Sequence, residues 1–80
     1  MNERVYPLEH FIKFENDPYR EGRLVINSLH DGFSVEVDIV QAESRKIWQH
    51  VGQYFNQPSE REAIEEGVQR LSEFLQKFSR

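Results

Sequence analysis

Three histidines and a scatter of acidic pairs are the residues of this 80-residue chain best suited to chemistry. His10 and His30 share the inward parity of two expected strands and would approach each other if those strands pair. One or two carboxylates could then complete a metal site, with His50 a poorer third ligand on the outer side of an expected helix. The compact spacings of known sites, such as His-x-x-x-His or paired Cys and His, are absent. Histidines at sheet ends donating to backbone carbonyls are the plainer expectation. Glu36 and Asp38 alternate onto one strand face, with Glu9 or Glu15 nearby. Paired carboxylates catalyse hydrolysis in clefts that perturb their pKa values, whereas an open sheet face offers only solvent. No serine stands in a nucleophile elbow and no glycine run forms a phosphate cradle. The sequence therefore leads us to expect no enzyme, no cofactor and no metal, with the metal or enzyme reading on His10 and His30 ranked last.

The elements that would position these residues are easier to read. Phe33 to Ile39 changes character at every step, as a half-buried strand does. Asp31-Gly32 before it favours a two-residue turn with positive φ at both centres. That turn pairs Leu24 with Ile39, Ile26 with Val37, Ser28 with Val35 and His30 with Phe33. An earlier alternating run spans 6–14, and Asn16-Asp17-Pro18 with Gly22 marks a loop after it. After Val40 the apolar period lengthens to about 3.6: Ile47, Trp48, Val51, Tyr54 and Phe55 fall within an arc of about 120°. Pro58 would stop that helix. Ser59 with Glu62 is a capping-box signature for the next one, and Gly67 inside it suggests a close approach to a neighbouring element. The expected fold is α+β: a three-stranded antiparallel meander (6–14, 23–30, 33–40) followed by two amphipathic helices (43–55, 60–78) on one sheet face.

Asp31-Gly32-Phe33-Ser34-Val35-Glu36-Val37 resembles the hairpin of HicB-like antitoxins over seven residues. The Pro-Gly-Cys type of turn that usually follows in that family is missing, and no functional residue is carried over. An antitoxin-like, nucleic-acid-associated role would use Arg45 and Lys46, expected on an outer helix face. Charge weighs against it. Residues 1–40 hold four basic and eight acidic side chains, so the expected sheet repels phosphate; residues 41–80 hold six of each. Two cations at a helix start are a small nucleic-acid footprint.

Six Phe, three Tyr and one Trp argue for a folded core. With no cysteine to cross-link it, a domain this small gains buried area most readily by oligomerising. No apolar stretch reaches the roughly 18 to 20 residues of a membrane span. The first residues lack a signal-peptide pattern, so a cytoplasmic location is expected. By parity the sheet face away from the helices carries Phe11, Val25 and Leu29 among Asn27, Glu36 and Asp38. These six are the candidate partner interface, apolar with a polar rim. A protein partner, most simply a second copy, is the leading expectation.

Overall fold

The computed structural model describes residues 5–78. Four strands, β1 (Leu8–Phe14), β2 (Asp17–Leu29), β3 (Gly32–Gln41) and β4 (Ile47–Gln57), precede one helix, α1 (Glu60–Phe78). The strands form a single antiparallel meander in the order β1-β2-β3-β4. Helix α1 packs on one face against β2, β3 and β4. The expected architecture of three strands and two helices is therefore overturned: residues 47–57, read as part of a helix over 43–55, are a fourth strand.

The reason lies in three register shifts along β4, each adding one residue to that strand. Tyr54 faces Val35 and Gly52 faces Val37, but His50 faces Asp38, Gln49 faces Ile39 and Ile47 faces Val40. A bulge breaks the two-residue alternation. The core-packing Val51 and Tyr54 consequently stand three apart, which imitates a helical period. Composition pointed the other way. Ile47, Trp48, Val51, Tyr54 and Phe55 suit a strand, and Gly52 is a poor helix former.

The β2–β3 hairpin has the expected turn region but a different register. Leu24 faces Val37, Ile26 faces Val35 and Ser28 faces Phe33, with His30 and Asp31 at the tip. Gly32, rather than a pair of turn residues, takes the positive φ, at +144°. A Cβ there would lie 2.9 Å from the Gln57 carbonyl oxygen, so glycine is required. Because the slip is an even number of residues, every side chain keeps its expected face. The expected loop over 16–22 shrinks to a turn at Glu15 and Asn16, and β2 already starts at Asp17. Pro18 is tolerated because it precedes Arg20, where the register with β3 begins.

On the helix side Leu24, Ile26, Val35, Val37 and Ile39 are buried beneath Ala63 and Leu71. Leu8, Ile12, Phe14, Phe33, Val51, Tyr54, Ile64, Phe74 and Leu75 pack around them. Helix α1 starts as expected, with the Glu62 amide donating to Ser59 Oγ at 3.1 Å. Glu66 and Arg70 pair at 2.6 Å on its wet side. Gly67 is where helix meets sheet: a Cβ there would lie 2.9 Å from Leu24 Cδ2 and 3.0 Å from Val35 Cγ2. The missing side chain lets the helix axis settle onto the strands.

Candidate functional site

The strand registers set the opposite, outer face of the sheet in rungs. Phe11, Arg23, Asp38 and His50 form one rung across all four strands. Glu9, Val25, Glu36 and Gln53 form the next, and Lys13, Glu21, Val40 and Ile47 lie on the other side. Asn27 follows opposite Ser34, and Leu29 opposite Gly32. The six residues Phe11, Val25, Asn27, Leu29, Glu36 and Asp38 therefore share one face. Phe11 and Val25 are half-buried, while Asn27 and Leu29 are exposed.

Arg23 organises the centre. Its Nη1 donates to Asp38 Oδ2 at 2.9 Å. Its Nε and Nη2 both donate to Glu9 Oε2, at 3.0 and 2.8 Å. Asp38 is fully buried on the face that α1 leaves uncovered, and its Oδ1 meets His50 Nδ1 at 2.7 Å. Glu36 Oε2 lies 3.8 Å from His50 Nδ1 and 3.9 Å from Arg23 Nη1. A buried carboxylate is tolerable only with such partners. Burial works against the Arg23 cation, but Glu9 and Asp38 outweigh it and hold its pKa above the ordinary value.

Glu36 is pushed the opposite way from a normal surface carboxylate. A hydrogen bond shared with Asp38 favours its protonated form, followed by burial and the Asp38 charge, so its pKa is raised. A raised folded-state value means that Glu36 supports folding below its unfolded pKa and loses that contribution as pH rises through the folded one. Glu36→Gln is accordingly expected to be more stable than the parent at neutral pH. Urea titrations at a series of pH values should show that gain shrinking to nothing as pH falls below the carboxylate range.

One end of the face is closed by the β3–β4 turn. Arg45, at φ 63°, lays its guanidinium 3.7 Å from the Phe11 ring centroid, with Nε 3.5 Å from Glu21 Oε1. Arg45 and Lys46 thus stand in a turn, not on the outer face of a helix, and Arg45 is engaged within the fold. The anticipated meeting of His10 and His30 also fails. Although β1 and β2 pair, His10 faces Leu24. His30 lies at the hairpin tip, six residues further along, or roughly 20 Å at strand spacing. His50, rated the weakest ligand when read as helical, is the histidine beside the carboxylates.

Arg23 is a member of this rung that the sequence did not single out, and His50 entered the sequence reading only as a poor ligand on an expected helix. Their signal was present only jointly, because each is identified by the register that sets it opposite Asp38. Surface depressions occur elsewhere, for instance beside Pro18, Tyr19, Gln41, Ala42 and Glu43, away from the rung. Among the described residues no helix is long and apolar enough to cross a membrane. Comparison with protein-family models, curated proteins and solved structures finds no match for this chain.

Proposed function

We propose that this protein is a non-enzymatic interaction domain whose working surface is the outer sheet face and whose partner is a second copy of the chain. The observation that carries the reading is the composition of that face. Phe11, Val25 and Leu29 retain apolar exposure around an ordered charged rung, on the side that α1 leaves uncovered. Its charges are polarised, and this supports a second copy in particular. Lys13 and Arg45 outnumber Glu21 at one end, while Glu9 and Glu36 lie toward the other. A two-fold stacking of two such faces sets each basic end against the other copy's acidic end. The molecule measures 41 × 24 × 18 Å, so its broad side is of the size that about 800 Å² per partner requires.

Sedimentation of the full chain should give a salt-sensitive monomer–dimer equilibrium at micromolar concentration. Leu29→Asp and the charge removal Lys13→Gln, both at exposed positions, should shift it to monomer without lowering the melting temperature measured at a concentration where the parent is also monomeric. A parent protein that stays monomeric up to millimolar concentration would remove the proposal.

A further inference from the structure

The outer face also carries a chemistry that an interface alone does not need. Glu36, Asp38 and His50 each offer one ligand atom, and the three lie within 4.8 Å of one another. Strand geometry produces this convergence. Glu36 and Asp38 project from alternate positions of β3, and the β4 register sets His50 directly across from Asp38. One imidazole nitrogen and two carboxylates form a borderline-hard donor set, suited to zinc-class ions.

We propose that Glu36, Asp38 and His50 form a binding site for a zinc-class divalent cation, open to solvent on its outer side. The two oxygens of Asp38 are already divided between tasks. Oδ2 is held by Arg23 at 2.9 Å, while Oδ1 faces His50 Nδ1. Arg23 therefore acts as an outer-shell partner that fixes the carboxylate's orientation without occupying the ligating oxygen. His50 is more than half exposed and Glu36 about one third, so an ion can enter from solvent and retain water. Charge favours it as well. Arg23 donates to Glu9 and Asp38 and stands 3.9 Å from Glu36, one guanidinium among three carboxylates, and a divalent ion offsets the remaining negative charge.

Entry replaces the contact between His50 Nδ1 and Asp38 Oδ1. The proton that Nδ1 shares with Oδ1 is released to solvent, the remaining imidazole proton resides on Nε2, and the freed Nδ1 lone pair and Oδ1 both turn to the ion. Their 2.7 Å separation must widen to about 3.3 Å around an ion with bonds of roughly 2.0 Å. Exposed His50 can supply that movement.

The test is calorimetric titration of the full chain with zinc chloride, paralleled by the visible absorption of added cobalt(II). Both are run at a concentration where sedimentation shows monomer, so that loss of dimerisation and loss of metal binding are separable. Saturable binding of about one ion per chain is expected, with His50→Ala and Glu36→Gln each weakening it by at least about tenfold. His30→Ala should leave it unchanged. Asp38→Asn perturbs a buried ion pair, so the two more exposed positions carry the test. Absence of binding at millimolar zinc, or binding indifferent to His50→Ala, would overturn the site.

Discussion

Arg23→Met is expected to destabilise the fold by about 3–5 kcal/mol, as loss of one partner from a buried ion pair does. Asp38 is fully buried, and the substitution leaves its Oδ2 without the guanidinium that donates at 2.9 Å. The loss approaches the whole stability of a marginal domain, which spans roughly 5–15 kcal/mol. The thioether chain conserves much of the stem volume, so the missing charge dominates the cost. Arg23→Met combined with Asp38→Val should recover a large part of it, because a well-packed apolar pair can replace a buried ion pair with little penalty. Chemical denaturation of the two single variants and the double variant gives the coupling energy directly. A cost below about 1 kcal/mol for Arg23→Met, the scale of an exposed pair, would show that the rung is not the buried network described here.

Leu24→Ala is expected to cost about 2–5 kcal/mol, the range for truncating a fully buried leucine. The partner substitution tells more. In the parent, a Cβ at Gly67 would lie 2.9 Å from Leu24 Cδ2, so Gly67→Ala sets better helix propensity against a collision. In the Leu24→Ala background that methyl is gone, leaving Val35 Cγ2 at 3.0 Å as the nearest constraint. Gly67→Ala should consequently be more favourable there than in the parent, a positive coupling readable from the same denaturation curves. Strict additivity would mean that helix and sheet do not meet at this point.

Local patterns proved legible where one rule acted alone. The alternation of Phe33 to Ile39 fixed the face of each β3 residue, and Ser59 with Glu62 located the start of α1. Gly67 signalled a close approach to another helix or to the sheet, and the neighbour is the sheet. Faces survived the mistaken hairpin register because an even slip conserves parity, and so the six outer-face residues were grouped together. Reading failed where two rules competed. The β4 bulges space Val51 and Tyr54 like a helix, and that periodicity masks the strand-favouring residue types around Gly52.

The consequence for the site was larger than one misassigned element. With 43–55 helical, His50 points into solvent and the acids of β3 stand on an open sheet face. With 47–57 as β4, β3 becomes an inner strand, Asp38 is buried, and its neighbours on either side are Arg23 and His50. Burial of a polar group is a property of the assembled sheet. No spacing within a single segment encodes it, which is why the charged rung was invisible before the strand order was known.

Both the proposed dimer face and the proposed cation site depend on β4 lying beside β3 with His50 across from Asp38. Nuclear Overhauser spectroscopy on the labelled chain tests that arrangement most directly. Cross-strand contacts linking Asp38 to His50 and Glu36 to Gln53 are the expected result, with no helical pattern through 47–55. A run of i to i+3 contacts over those residues, without the cross-strand pairs, would contradict the account.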